Sequence, residues 1–237
     1  MDMLEELFIQ PPKIGGFNFD QELEKVLRSQ YSIAVGQDKI DLWNKLYEFY
    51  QRSGENILCQ EFILEDIDAY WMEPFQADLY FKLGQSKERM GEYSAAVEAY
   101  TKALVAPGQS AWLRYYINNN LGFCLLISKR FVEAETYLRA AISIAGDRHN
   151  AWKNLGVSLE HQGKIEEAFG CYCSAFKIES MDPRVPKHLF RLIERSKILN
   201  ADELLDRYQM SPPYRSKLRY IAEHLAKRAS LSQVKVN

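Results

Sequence analysis

Cysteine and histidine are the residues of this chain whose chemistry could support metal binding or nucleophilic catalysis. Of the four cysteines, Cys171 and Cys173 lie closest together, separated by a single residue. In a helix, residues two apart point about 200° apart around the axis, so these thiols could not hold one metal ion together. Free cysteines are commonly buried, and we therefore expect both to be packing residues.

The four histidines are scattered, and none has a cysteine or another histidine at a spacing suited to a metal ion. His161 follows Glu160, but no nucleophile accompanies the pair, so we expect a solvated or peptide-contacting histidine. Gly15 and Gly16 form a turn signal, and the sequence lacks a glycine-rich loop suited to phosphate. We expect no metal, no cofactor and no catalytic site, and hence a protein that is not an enzyme.

Charge and composition limit the remaining classes of protein. The 237 residues carry 30 basic and 32 acidic side chains, a net charge of -2 that argues against a generally basic nucleic-acid binder. No apolar run approaches the roughly 20 residues needed to span a bilayer. Three of the first six residues are acidic, and this stretch lacks the pattern of a secretory signal. These features lead us to expect a cytoplasmic protein with reduced thiols.

The net charge is distributed unevenly along the chain. Residues 1–76 contain 15 acidic and 6 basic side chains, a local charge of -9. Residues 77–200 contain 13 acidic and 17 basic side chains (+4), and residues 201–237 contain 4 acidic and 7 basic ones (+3). An acidic front and a basic rear could pair with each other or could offer surfaces to different partners.

A repeated pattern dominates the middle of the sequence. Leu-Gly pairs end at Gly84, Gly122 and Gly156, at intervals of 38 and 34 residues (122 − 84 and 156 − 122). Each glycine is followed at fixed distances by an alanine, a large side chain and a second alanine. These residues are Ala96, Tyr100 and Ala103; Ala134, Leu138 and Ala141; and Ala168, Tyr172 and Ala175. Such periodicity indicates a stack of repeated structural units.

Each unit is predicted to be a pair of antiparallel helices. The turns between the helices are expected at residues 90–93, 128–131 and 162–165. We expect the small residues to let two backbones approach, Gly84 against Ala96 for example, while the large residues fill the space between neighbouring pairs. Four additional residues around 107–112 should lengthen either a loop or a helix end.

This pattern resembles the tetratricopeptide repeat family, with matching units at 77–108, 115–146 and 149–182. The second unit departs from the family at Asn118, where an aromatic residue is usual, and at Lys129, which replaces the turn glycine. The resemblance implies an all-α fold, a right-handed superhelical solenoid of antiparallel helix pairs. It also implies that the first helix of each pair lines a concave groove.

The remaining segments are interpreted around these three repeats. Residues 1–19 are expected to be an extended arm, and residues 20–76 an acidic helical region with a degenerate repeat at 38–68. The repeat block would then occupy residues 77–182. Residues 183–229 should form helices that cap the end of the stack, and residues 230–237 a flexible tail.

The family's groove positions, carried onto this sequence, identify a candidate peptide-binding site. Its residues are Phe81, Gln85, Arg89, Tyr116, Asn119, Asn120, Phe123, Asn150, Lys153 and Asn154. In relatives with an asparagine ladder, the position of Asn120 and Asn154 binds the backbone of an extended peptide, since an amide both donates and accepts. Of the positions that grip a C-terminal carboxylate in other relatives, only Asn120 carries the matching residue, so that mode is not expected.

The groove favours a non-enzymatic interaction scaffold or adaptor that binds a peptide or a partner helix. The protein's own arm or its C-terminal helix could equally occupy the groove. A secretion-type or assembly chaperone for a specific client is one alternative. Another is binding of nucleic acid or anionic membrane through a basic C-terminal helix that contains Arg215, Lys217 and Arg219. A protein or peptide partner is expected, rather than a small molecule, nucleic acid or membrane.

Overall fold

The computed structural model describes residues 20–67, 75–179, 181–182, 184–196 and 201–220. Within these residues the regular secondary structure is helical and no β-strand occurs. The predicted all-α class, built from consecutive helix pairs, is therefore confirmed. The chain divides into two compact units, Met1–Ser110 and Ala111–Asn237. No helix among the described residues is both long enough and apolar enough to cross a membrane.

The first unit contains five described helices. They are α1 (Gln21–Ile33), α2 (Gly36–Ser53), α3 (Asn56–Asp66), α4 (Gln76–Arg89) and α5 (Tyr93–Val105). Asp20 caps α1, because its carboxylate accepts hydrogen bonds from the backbone N–H groups of Glu22 (3.1 Å) and Leu23 (3.0 Å). Helices α2 and α3 lie on either side of Gly54, the turn predicted for the degenerate repeat, and the left-handed φ of 76° there suits a glycine.

Aromatic side chains form much of the core of the first unit. The Phe62 ring of α3 lies 5.2 Å from the Trp43 ring and 5.6 Å from the Tyr50 ring, both on α2. All three side chains are buried, as is Leu79 of α4 in the same cluster. The packing of α2, α3 and α4 in this unit is thus stabilised largely by aromatic burial.

The second unit contains the other two predicted repeats and the helices that follow them. Its helices are α6 (Ala111–Ile127), α7 (Phe131–Ile144), α8 (His149–His161), α9 (Ile165–Ile178), α10 (Arg184–Ser196) and α11 (Ala201–Arg207). Residues 212–220 are also helical. The three turns lie where they are predicted, and Gly91, Lys129 and Gly163 all have positive φ there.

The four additional residues between the first two repeats lengthen a helix. Helix α6 begins at Ala111, four residues before the start of its predicted repeat at Tyr115. Four residues correspond to about one helical turn. The spacing of 38 is therefore accommodated as an extra first turn of α6, which contains Trp112.

The glycine of each Leu-Gly pair packs against the large residue of its own repeat. A β-carbon added at Gly84 would lie 2.5 Å from the Tyr100 ring, and one at Gly122 would lie 2.6 Å from Leu138. At Gly156 the nearest atoms belong to Tyr172, again at 2.5 Å. The glycine therefore makes room for the large residue of its own helix pair. Tyr172 also stacks on His188 of α10, so this large residue packs towards the following helix as well.

The helices after the third repeat pack on α9. The His188 ring of α10 stacks on Tyr172 with centroids 5.0 Å apart, and the Tyr214 ring lies 6.1 Å from Phe176. Leu218 is buried as well. The segment 212–220 thus covers part of α9, whereas the predicted arm at 1–19, the rest of the final helix at 221–229 and the tail at 230–237 lie outside the described residues.

Candidate functional site

The three predicted groove residues of the first unit have different environments on α4. Phe81 is only 5% exposed, and its ring packs 5.8 Å from that of Tyr100, so it belongs to the interior of the helix pair. Gln85 is half-buried, and Arg89 is exposed. Arg89 faces Tyr47 of α2, where burial raises the pKa of the phenol and the positive charge opposes that rise.

Three predicted asparagines of the second unit meet between α6 and α8. The Asn154 side-chain amide donates to the Asn119 carbonyl oxygen at 3.3 Å, and the Asn119 amide donates to the Asn120 carbonyl oxygen at 3.1 Å. Asn119 and Asn154 are buried, whereas Asn120 is half-buried. In the described part of the chain, the Asn154 side-chain oxygen has no hydrogen-bond partner.

An aromatic group lies at the start of the same face of α6. The half-buried Tyr116 accepts a hydrogen bond from the Arg148 guanidinium at 2.8 Å, and its ring lies 4.5 Å from that of Trp112. Trp112 is 57% exposed. Phe123, two turns further along α6, is half-buried. The sequence prediction included Tyr116 and Phe123 but missed Trp112 and Arg148; the one-turn spacing of Trp112 from Tyr116 could have indicated the former.

Lys153 of α8 is the most unusual of the predicted residues. It is only 4% exposed, and its ammonium group lies 3.5 Å from the Asn150 side-chain oxygen. Burial, aided by the charge of Arg184 and opposed by that of Asp182, lowers the pKa of Lys153 to about 8. Asn150, by contrast, is exposed on the first turn of α8.

The sequence analysis did not predict the ion-pair cluster that lies next to Lys153. Asp182 accepts from the Arg184 guanidinium at 2.7–3.1 Å and from the Arg184 backbone N–H at 2.9 Å. His149 Nε2 lies 3.3 Å from the same carboxylate. Despite the opposing effect of burial, the bonds from Arg184 hold the pKa of Asp182 down at about 2. The Asp182–Arg184 bonds are local, whereas the approach of His149 on α8 to the same carboxylate depends on how the segment before α10 packs, which no sequence motif records.

A second polar cluster joins α8, α9 and α10. Glu160 accepts from the Tyr172 hydroxyl at 2.8 Å and lies 3.9 Å from the Arg191 guanidinium. Arg191 also contacts His188 Nδ1 at 2.6 Å. Burial and the nearby charges of Arg191 and Lys153 lower the pKa of His188 to about 3, so this imidazole remains neutral at physiological pH. This arrangement orients side chains inside the helix stack.

The thiols occupy interior positions. All four cysteines are buried, and burial raises the pKa of Cys171 and of Cys173 to about 12. Thiols with such pKa values are almost entirely protonated at neutral pH and are weak nucleophiles. Within the described ranges, no group of three or more His, Cys, Asp or Glu side chains is arranged to hold a metal ion.

Comparison with known proteins agrees with this architecture. The family model described as Tetratricopeptide repeat matches residues 77–104. Tetratricopeptide repeat protein 7A of Homo sapiens is 26% identical over 168 residues, which cover 69% of this chain and 19% of the relative. Tetratricopeptide repeat protein 7B of Homo sapiens is 24% identical over 79% of this chain and 22% of its own length. The chain therefore spans about a fifth of the length of these curated relatives.

Solved structures share the fold at low sequence identity. MamA from Desulfovibrio magneticus RS-1 superposes with a TM-score of 0.60 at 18% identity, covering 81% of this chain and 98% of MamA. YrrB, described as a TPR protein with an unusual peptide-binding site, gives a TM-score of 0.58 at 16% identity, covering 86% of this chain and 99% of YrrB. These similarities concern the fold of the chain.

Proposed function

The chain is a tetratricopeptide-repeat protein, and from this premise we propose that it is a non-enzymatic protein-interaction scaffold. Its partner is an extended peptide segment that lies across α6 and α8 of the second unit. The contacting residues are those that the sequence pattern predicted in this unit: Tyr116, Asn119, Asn120, Phe123, Asn150, Lys153 and Asn154. The proposal covers this part of the protein alone, because the matched stretch is only about a fifth of the length of the curated relatives.

The observation that carries the proposal is the unsatisfied oxygen of Asn154. This atom is buried and has no hydrogen-bond donor in the described part of the chain. An unsatisfied buried polar group costs about 1–3 kcal/mol, so native proteins rarely retain one without a reason. A backbone N–H group of a bound peptide would supply the missing donor once the side chains that cover this buried atom move aside.

The neighbouring side chains suit an extended peptide of varied sequence. Asn119 and Asn120 continue the row of amides from Asn154, and an amide can pair with any peptide unit regardless of its side chain. Tyr116 and Phe123 keep part of their ring surface exposed. Such rings could bury one apolar side chain of the peptide while the amides bind its backbone. The description of YrrB as a peptide-binding protein is in keeping with this use of the fold.

Site-specific photo-crosslinking tests the proposal directly. A photoreactive amino acid replaces Phe123 on α6 or, as a matched control, the exposed Val132 on α7. In cells that naturally contain the protein, position 123 should give a discrete crosslinked partner that position 132 does not give. Mass spectrometry of that adduct identifies the partner peptide.

The amide contacts need their own variant. Asn119→Ala combined with Asn154→Ala should reduce the yield of the crosslink from position 123 several-fold, since each hydrogen bond contributes about 0.5–1.5 kcal/mol. Circular dichroism of the double variant controls for loss of folding. An equal yield from positions 123 and 132, or an undiminished yield in a folded double variant, would contradict the proposed groove.

A further inference from the structure

Helix α1 of the first unit carries an apolar face that stays exposed in the described part of the chain. This exposed face consists of Leu23, Val26 and Ile33, whose side chains are 42%, 52% and 82% exposed. At 100° per residue, the three side chains fall within a sector of about 80° around the helix. Leu27 and Tyr31, which are half-buried and pack on the core of the first unit, occupy the adjoining sector. The apolar surface of α1 therefore extends beyond the part that the core covers.

The packed side of α1 is held largely by polar contacts. The Arg28 guanidinium donates to the Tyr50 hydroxyl at 2.9 Å, and the Tyr31 hydroxyl donates to the Asp66 carboxylate at 2.5 Å. None of the 13 residues of α1 is fully buried. Single exposed apolar side chains are common in proteins, but a helix whose apolar residues spread over a wide sector is normally covered across that sector. The exposed face of α1 is thus a place for a further segment of chain.

The arm at residues 1–19 is well placed to cover this face. Asp20 caps α1 through hydrogen bonds to backbone N–H groups of the first turn, so the arm joins the helix three residues before Leu23. From Leu23 to Ile33 the face spans ten residues (33 − 23), or about 15 Å along the helix axis. About five residues of extended chain cover that distance. The arm is therefore long enough to lie along the face even if it first reverses direction.

The composition of the arm suits such a contact. Nine of its 19 residues are Met, Leu, Ile or Phe, and three of these form the continuous run at 7–9. A chain reversal at Gly15 and Gly16 would direct this run back along α1. The exposed Gln30 lies in the same sector as the apolar face, and its amide can both donate to and accept from an extended backbone. We infer that residues 7–9 of the arm pack on the exposed face of α1.

Tethering favours the protein's own arm over a second copy of the chain. A short connection gives the arm an effective concentration of about millimolar at the face. Separate copies meet only at the bulk concentration of the protein, which is micromolar in an ordinary purified sample. The same apolar burial is available in both cases, so the tether decides between them. An arm held on α1 is not the occupant of the groove between α6 and α8, which leaves that groove open to a separate partner.

Photo-crosslinking in the full chain tests where the arm lies. A photoreactive amino acid replaces Val26 or Ile33 in the exposed face or, as a matched control, the exposed Ser32, which lies about 120° around α1 from Val26. Trypsin separates residues 1–13 from α1, because it cleaves after Lys13 and Lys25. Positions 26 and 33 should each crosslink to peptide 1–13 of the same chain. Their yield should exceed that of position 32 by about fivefold or more, since burial of one apolar side chain biases the arm by at least that factor.

Two variants of the arm assign the contact to the apolar run. The first carries three serines within the run: Leu7→Ser, Phe8→Ser and Ile9→Ser. The control carries three serines at polar positions of the same arm: Glu5→Ser, Glu6→Ser and Gln10→Ser. The first variant should lower the crosslink yield from position 26 about fivefold or more, whereas the control should retain it. Circular dichroism of both variants shows whether the helices are intact, so that a lost crosslink reports lost docking.

The other possible products each overturn the inference. A crosslink from position 26 that joins two chains would identify a second copy as the occupant. A crosslink to residues 68–74 would instead identify the connection between α3 and α4. Equal yields from positions 26 and 32, or no peptide 1–13 among the products, would show that the arm does not lie on this face. An undiminished yield in the first variant would show that residues 7–9 do not mediate the contact. The crosslink from position 123 judges the scaffold proposal separately.

Discussion

Lys153 and Glu160 lie on the same helix and both carry a buried charge, but the two charges differ in how far other side chains stabilise them. Glu160 accepts a hydrogen bond from Tyr172 and lies 3.9 Å from Arg191, so its buried charge has partners within the protein. Lys153 has no such compensation among the described residues. Its ammonium group therefore destabilises the free protein, and the effect should be measurable in the pH dependence of folding.

Lys153→Met is expected to stabilise the peptide-free protein at pH 7 and to lose that advantage in alkali. The pKa of Lys153 is lowered to about 8, so the cost of burying its charge is present in full below pH 8. Between about pH 8 and 10.5 the folded protein has lost this proton while the unfolded chain still holds it, and the stability of the wild type should rise relative to the variant. The difference in free energy of unfolding should be up to about 3 kcal/mol at pH 7.

Comparing the wild type and Lys153→Met by urea denaturation across this pH range separates the effect of Lys153 from that of other groups. Burial raises the pKa values of Cys171 and Cys173 to about 12, and these thiols change stability in the opposite direction as the pH rises. Their contribution is common to wild type and variant and therefore cancels in the difference. A difference between wild type and Lys153→Met that does not depend on pH would refute the assignment.

At the scale of elements, the turn inside each repeat depends on one residue with positive φ. Gly91 (76°) and Gly163 (75°) adopt this conformation readily, whereas Lys129 adopts it at 59° with a full side chain. The backbone N–H of Lys129 still donates to the Leu126 carbonyl oxygen at 2.9 Å. The backbone N–H of Arg130 donates to the Leu125 carbonyl oxygen at 2.9 Å. The hydrogen bonding of the turn thus survives at the cost of local strain.

Lys129→Gly is expected to stabilise the second unit by about 0.5–1 kcal/mol, because relief of strain exceeds the added entropy of the unfolded chain. Gly163→Ala at the corresponding turn of the third repeat should do the reverse. Thermal unfolding of both variants measures the two effects. A neutral or destabilising Lys129→Gly would mean that this side chain stabilises the turn through a contact of its own.

Much of the repeat architecture follows from local sequence rules. Turn residues such as Gly91 and Gly163, together with the spacing of glycine and alanine, predict the turns that separate the paired helices among α4 to α9. The sequence also predicts that the extra residues before the second repeat lengthen either a loop or a helix end. Because α6 begins at Ala111, these residues lengthen the helix. These features are local, so a single repeat contains the information for them.

The candidate site was predictable only as a set of positions. The pattern places Asn119 and Asn154 on one face, but the hydrogen bond between them depends on the packing of α8 against α6. Phe81 was assigned to the groove, yet its ring is buried against Tyr100. The burial of Lys153 beside Asp182 likewise depends on packing between segments, which the periodicity of a single helix does not predict.

At the scale of the whole molecule, the charge distribution argues against one of the alternative functions. The net charge is -2 although the last segment is basic. In the described part of the final helix, Arg215 donates to the Met210 carbonyl oxygen at 2.7 Å and pairs with Asp206. Tyr214 of the same helix packs on α9. Some of the positive charge of this helix is therefore already paired with groups of the protein itself.

The intact chain should accordingly show no salt-sensitive binding to nucleic acid. Nucleic-acid binders that neutralise several phosphates lose affinity steeply as salt rises, and here Arg215 is already neutralised. Fluorescence anisotropy of a labelled single-stranded oligonucleotide, titrated with the full chain at low and at physiological salt, measures this. Saturable binding that weakens strongly with salt would favour the nucleic-acid alternative instead.

The additional first turn of α6 has a consequence for how this chain can vary in length. Each added residue moves the start of a helix about 100° around its axis, so four residues return it to within about 40° of the original side while shifting it about 6 Å along the axis. Trp112 thereby comes to lie above Tyr116, with 4.5 Å between the rings. Insertions of two residues would begin the helix on the opposite side and separate these rings. Natural or engineered variants of this connection are therefore expected to gain or lose residues in whole helical turns.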